Sequence, residues 1–118
     1  MSPISFASLA KDHPSLESAL RDLESWIKSH AEVNLIQPGT VARDLPQVDT
    51  RVLAEALTLL ENSGYLRRVY KVLTPAGVMA EGEFEDPTRV PERLPDRFEN
   101  YFDTSDADIV PAFHLVTR

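Results

Sequence analysis

Apolar residues recur with helical spacing along the first half of the chain and with two-residue alternation after it. Leu16, Leu20, Leu23 and Ile27 step by four, three and four, with Ala19 and Trp26 flanking the same stripe. That spacing predicts an amphipathic helix that begins near Asp12 and ends near His30, with one face turned to a core. Pro14 suits its first turn, where a missing N–H costs nothing. The stretch Met1 to Lys11 has no such period and is expected to be a loosely held arm in which Ile4, Phe6 and Leu9 pack locally. Val33-Asn-Leu-Ile36 is short, apolar and bounded by Gln37-Pro38-Gly39, which predicts a small strand.

Pro38-Gly39-Thr40 opens a second, short helix carrying Val41, Ala42 and Leu45, and Pro46 stops it because the residue before proline avoids the α region. Asp49 or Thr50 then caps a third helix with Val52, Leu53, Ala56, Leu57 and Leu60 on one face, and Gly64 supplies a left-handed residue that ends it. Leu66 to Leu73 alternates as a strand, Thr74-Pro-Ala-Gly77 turns, and Val78 to Phe84 returns as the second arm of a hairpin.

Beyond Phe84 the pattern changes. Asp86-Pro87, Val90-Pro91 and Leu94-Pro95 predict an extended, proline-punctuated loop. Phe98, Tyr101 and Phe102 then lie one helical turn apart within Asp96 to Phe102, which predicts a short helix with an aromatic face. Ile109 to Val116 reads as a last strand, and Pro111 confines it to an edge or a strand start. The expected fold class is α+β: a three-helix core with a β-hairpin wing over 12–84, and an extension over 85–118 with the short helix and the edge strand. One domain over 1–118 is the expectation at this length.

The passage Leu57-Thr-Leu-Leu-Glu-Asn-Ser-Gly-Tyr-Leu-Arg-Arg-Val-Tyr70, followed by Leu73-Thr-Pro-Ala-Gly77, resembles the helix-to-wing passage of bacterial winged helix-turn-helix regulators. The resemblance covers about Val33 to Phe84. It implies a winged-helix architecture in which the third helix enters the DNA major groove and the hairpin touches the neighbouring backbone.

Charge alters that picture. Residues 1–80 hold eight Lys or Arg against nine Asp or Glu, whereas residues 81–108 hold ten acids against three arginines. The whole net charge of -7 therefore resides in one segment, which repels phosphate backbones and anionic membranes and either favours a basic protein surface or simply keeps the domain soluble. With Leu53, Leu57 and Leu60 inward, the outward stripe of the third helix is Arg51, Glu55, Thr58 and Asn62. One cation and one anion make a poor reading face, because duplex affinity leans on several phosphate-neutralising cations.

Two functional expectations follow. The first is a protein-interaction module, a small cytoplasmic adaptor or regulatory subunit that binds a larger protein through Phe98, Glu99, Tyr101, Phe102, Asp103 and Asp106. The second is a dimeric DNA-binding regulator in which Arg43, Arg51, Arg67 and Lys71 meet phosphate and Gln47 or Asn62 reaches a base. An open strand edge on the wing or the last strand also permits a homodimer.

Other chemistry finds little support in the residues. There is no cysteine, hence no thiol catalysis, thiolate metal site or disulfide. His13, His30 and His114 have no metal-ligand spacing, and Asp103-Thr-Ser-Asp106-Ala-Asp108 lacks the glycine and glutamate of a calcium loop. Neither a nucleophile elbow nor a phosphate loop is present. No enzyme activity, cofactor or metal is expected. There is no apolar run long enough to cross a membrane, and the start lacks a basic, then apolar, leader, so a cytoplasmic location is expected.

Overall fold

A computed structural model describes residues 5–33, 35–95, 98 and 100–116, with Asp106 described by its backbone only. The chain is an α+β protein. Among the described residues are four α-helices, α1 (Ala7–Asp12), α2 (Glu17–Ser29), α3 (Pro38–Asp44) and α4 (Thr50–Asn62). Four strands follow: β1 (Leu66–Leu73), β2 (Arg93–Pro95), β3 (Tyr101–Asp103) and β4 (Asp108–Leu115). β1 pairs with β4 and β2 with β3, giving two small sheets. Two compact units divide the chain, Met1–Arg67 with Leu115–Arg118, and Arg68–His114. No described helix is long and apolar enough to cross a membrane.

The first unit is helical. α2 buries Ala19, Leu20, Leu23, Trp26 and Ile27, most of the stripe that its spacing predicts, but it begins at Glu17 and not near Asp12. Asp12 closes α1, and Pro14 opens a separate 3-10 turn, Pro14–Leu16, that buries Leu16. The arm before it is more ordered than its sequence suggests. Residues Ala7–Asp12 close into α1, and Phe6 at its start is 1% exposed. The Phe6 ring meets Tyr65 edge-on at 5.2 Å and 77°, and its backbone N–H donates to Glu24 Oε1 at 2.6 Å. A helix of six residues is under two turns, too short to show a period, and its anchor is one aromatic whose partner lies far along the chain.

Pro38 takes the first helical position of α3, and the helix ends at Asp44, with Leu45, the residue preceding Pro46, as its non-helical cap. Ile36 is buried and makes a single β-bridge, so the small strand expected over Val33–Ile36 shrinks to one residue, Asn34 being outside the described set. Trp26 Nε1 donates to Asp44 Oδ2 at 2.9 Å, tying α2 to α3, and the His30 ring stacks on the indole at 4.2 Å and 16°. His30 Nδ1 lies 2.7 Å from Trp26 O and donates to it, since a carbonyl can only accept. Asp44→Ala leaves the indole N–H of a buried tryptophan without its acceptor and is expected to cost about 1–3 kcal/mol. Urea unfolding of Asp44→Ala, Trp26→Phe and the double variant checks this: in the Trp26→Phe background, which has no donor, the aspartate substitution should cost distinctly less.

Both ends of α4 are closed by specific chemistry. Asp49 Oδ1 accepts from Arg51 N at 2.9 Å and Val52 N at 3.4 Å, an N-cap worth about 1 kcal/mol. At the other end Tyr65 N donates to Leu60 O and Gly64 N to Glu61 O, with Gly64 at φ 85°. That is the paired six-to-one and five-to-two bonding of a Schellman motif, which needs a residue tolerant of the left-handed region.

In the second unit β1 is central. Tyr70, Val72 and Thr74 bond to Phe84, Ala80 and Val78 on one side. Odd-numbered residues of β1 therefore turn their backbone groups to β4. The bond from Val116 N to Tyr65 O, the equal lengths of the two strands, and Arg68 Cζ 5.3 Å over the Phe113 ring all fit one antiparallel register, in which Leu66 opposes Leu115 and Leu73 opposes Asp108. Pro111 then opposes Tyr70, where its backbone points away from β1, so its missing N–H costs no bond in this ladder.

The return segment departs from a regular hairpin arm. Leu73 pairs with Met79 and Tyr70 with Phe84, so three steps on β1 span five on the return segment. The excess bulges at Gly82, φ 100°, whose carbonyl accepts from Lys71 Nζ at 2.8 Å. Two isolated bridges therefore replace the continuous strand expected over Val78–Phe84.

The short aromatic helix expected over Asp96–Phe102 is corrected as well. Tyr101 and Phe102 belong to β3, which pairs antiparallel with β2 through Arg93 to Asp103, Leu94 to Phe102 and Pro95 to Tyr101. Phe98 lies in a turn, while Asp96, Arg97 and Glu99 fall outside the described residues. Leu94 and Phe102 face a cluster of Val72 and Ala80 with Phe84, Val90 and Ala107, and Tyr101 faces out. Burying one aromatic and exposing its neighbour is what a pleated strand does and what a single helical face cannot.

Candidate functional site

Of the residues expected to bind a protein, the described ones lie on or beside the β2–β3 hairpin. Phe98 is 73% exposed and Tyr101 64% exposed, whereas Phe102 is half-buried against the Val72 cluster and serves packing. Asp103 is exposed at the end of β3. Its Oδ1 accepts from Ser105 N at 2.9 Å and Ser105 Oγ at 2.8 Å. The backbone N–H of Ser105, then its hydroxyl, hold the Asp103 carboxyl below the ordinary carboxylate range, with Arg93 adding in the same direction. Thr104 closes the base of the hairpin: its N–H donates to Glu92 O at 2.8 Å and its hydroxyl to Pro91 O at 2.7 Å. Glu99 and the Asp106 side chain are outside the described residues.

Sequence spacing puts Arg93, Pro95, Tyr101 and Asp103 on the outer face of this hairpin, because their neighbours Leu94 and Phe102 turn inward. Arg93 Cζ sits 5.9 Å from the Tyr101 ring centroid and opposite Asp103 in register. A guanidinium therefore lies beside an exposed ring and a fixed carboxylate. Arg93 was not among the residues singled out from the sequence, since only the hairpin register brings it to Tyr101.

The residues expected to contact DNA are more scattered. Arg51 and Asn62 are exposed at opposite ends of α4, roughly 16 Å apart along its axis, with exposed Glu55 and Thr58 between them. Arg43 is exposed at the end of α3, its Nε 3.9 Å from Asp44 Oδ1. Gln47 donates to Asp22 Oδ2 at 3.3 Å, and Lys71 to the Gly82 carbonyl, so both already have partners within the chain. Arg67 is exposed on β1.

Two polar constellations were not legible from local sequence. One is the Trp26, Asp44 and His30 group. The other is His114 Nε2 on β4, 2.8 Å from each carboxylate oxygen of Glu83, which links β4 to the bulged return segment. Their partners are 18 and 31 residues apart, and no short motif signals such pairs. No group of three or more metal-ligating side chains occurs among the described residues. A groove of about 450 Å³ beside α1 and α2 is lined by Phe6 and by the Glu17–Arg21 ion pair, 2.6 Å, along one side of α2. The pair neutralises its own charges, and no nucleophile with an adjacent base stands in it.

Comparison of the chain with protein-family models, with curated proteins and with solved structures finds no match in any of the three.

Proposed function

We propose that the chain is a winged-helix protein-interaction module, an adaptor or regulatory subunit that holds a larger protein through its acidic extension. The order of α3, a tight turn, α4 and the β1 hairpin supports the winged-helix reading. The observation that carries the interaction reading is the pair Phe98 and Tyr101, both mostly exposed in the segment that holds the whole acidic excess. Large exposed aromatics cost solvation unless a partner covers them, and aromatic residues are enriched where proteins meet. The α4 face adds to this, since Glu55 sits between Arg51 and Asn62 where a groove reader needs positive charge. A chain free of cysteine suits the reducing cytoplasm.

The exposed cations Arg43, Arg51 and Arg67 favour the second reading, a DNA-binding regulator. Fluorescence anisotropy against labelled random duplex DNA at low salt separates the two. The interaction module is expected to give no rise in anisotropy at micromolar protein. Binding that collapses in the Arg67→Ala, Lys71→Ala double variant, with the log-log salt slope reduced by roughly 2, would establish the regulator instead. A homodimer built on the free edge of β4 is disfavoured by Pro111, which removes a donor from that edge.

A further inference from the structure

We propose that the outer face of the β2–β3 hairpin docks an extended, arginine-bearing basic segment of the partner protein. The proposal rests on the interaction reading and names the partner's chemistry. Three observations carry it. First, the face presents Tyr101 with Phe98 in the adjoining turn, two rings mostly open to solvent. Ring faces attract cations, and arginine stacks on them better than lysine because its planar guanidinium is weakly hydrated.

Second, the sign of the charge selects a cation. The unit Arg68–His114 holds ten acids against five Lys or Arg, so its field steers a basic segment toward this surface. Third, the hairpin already holds a guanidinium of its own: Arg93 lies at the Tyr101 ring and opposite Asp103, whose carboxylate is held in place by Ser105. Arg93 occupies the place that an incoming arginine takes, and acts as an internal competitor.

Geometry favours an extended ligand. Tyr101 and Asp103 are two residues apart on a strand, roughly 6.5–7 Å along its axis, the same repeat as alternate side chains of an extended peptide. A segment with arginine at every second position thus sets successive guanidinium groups against the ring and the carboxylate in turn.

The test is an anisotropy titration of the full chain with a fluorescein-labelled peptide of alternating arginine and alanine, its lysine counterpart, and labelled random duplex DNA in parallel. The arginine peptide is expected to bind more tightly than the lysine peptide. Tyr101→Ala should weaken it about fivefold, Tyr101→Phe should retain it, and Arg93→Ala should tighten it. Asp103→Asn should weaken it more than Glu81→Gln, which removes the same charge away from the hairpin face. Circular dichroism confirms that each variant is folded.

Equal affinity of Tyr101→Ala and the parent chain overturns the proposal, as do equal losses in Asp103→Asn and Glu81→Gln. Self-association in sedimentation that Tyr101→Ala abolishes would make a second copy the occupant and overturn the partner assignment. Silence toward both peptide and DNA overturns the hairpin surface alone. DNA binding that needs Arg67 and Lys71 overturns the interaction reading beneath it.

Discussion

Replacing Phe6 with alanine is expected to lower the unfolding free energy by about 3–5 kcal/mol, a core-sized loss from a residue near the start of the chain. Its side chain is 1% exposed and fills the space against Tyr65, edge to face, so truncation removes both the buried area and the ring pair. The Glu24 carboxylate that accepts the Phe6 N–H also pairs with Lys28 at 3.2 Å, so loosening α1 disturbs the surface of α2 as well. Urea unfolding followed through Trp26, which is buried in the same unit, should show the midpoint falling by more than about 1 M. Leu9→Ala on the same short helix is a fitting control: Leu9 is only half-buried and should cost distinctly less. A midpoint unchanged by Phe6→Ala would mean that the arm is dispensable after all.

That expectation runs against the sequence pattern, and the reason is instructive. α2 and α4 were legible because each is long enough to repeat its stripe, and because Asp49 and Gly64 mark the ends of α4 with chemistry that only helix termini require. α3 was legible from proline at its start and just past its end. α1 was not, since six residues hold too few apolar positions to define a period. The hairpin failed for a related reason. β2 and β3 have three residues each, and the spacing of Phe98, Tyr101 and Phe102 satisfies a helix as readily as a turn followed by an alternating strand. What decides between them is Leu94 opposite Phe102, a contact between distant positions.

The candidate site divides in the same way. Exposure of Arg51, Glu55, Thr58 and Asn62 follows from the inward stripe of α4, so it could be derived in advance. Use of the Lys71 ammonium by the Gly82 carbonyl could not, because it depends on a bulge that shifts the return segment by two residues. The same shift places Glu83 within reach of His114. Residues that act through their own helix or strand are readable from periodicity. Those that act across a register are readable only once the register is known.

Leu94 is where that register bears on function, and Leu94→Ala is expected to remove about 2–4 kcal/mol from the local stability of the hairpin. Leu94 is 8% exposed and packs with Val72 and Ala80, while Phe102 opposite it covers the same cluster from β3. With three-residue strands the ladder offers few hydrogen bonds, so packing on this cluster supplies most of what holds the hairpin closed. Hydrogen exchange should therefore speed up in the paired residues of β2 and β3 and at the Thr104 amide, which donates to Glu92 O at the base, while Leu53 to Leu60 of α4 keep their protection. If protection across the hairpin is unchanged, something other than the Leu94 and Phe102 contact holds it. The arginine peptide should also lose affinity for Leu94→Ala, although this side chain faces away from the docking face, because Tyr101 and Asp103 are then no longer held in phase. Val72→Ala opens the same cluster from β1 and should be non-additive with Leu94→Ala by about 0.5 kcal/mol or more. Additive losses would show that Val72 and Leu94 do not share a cluster in solution.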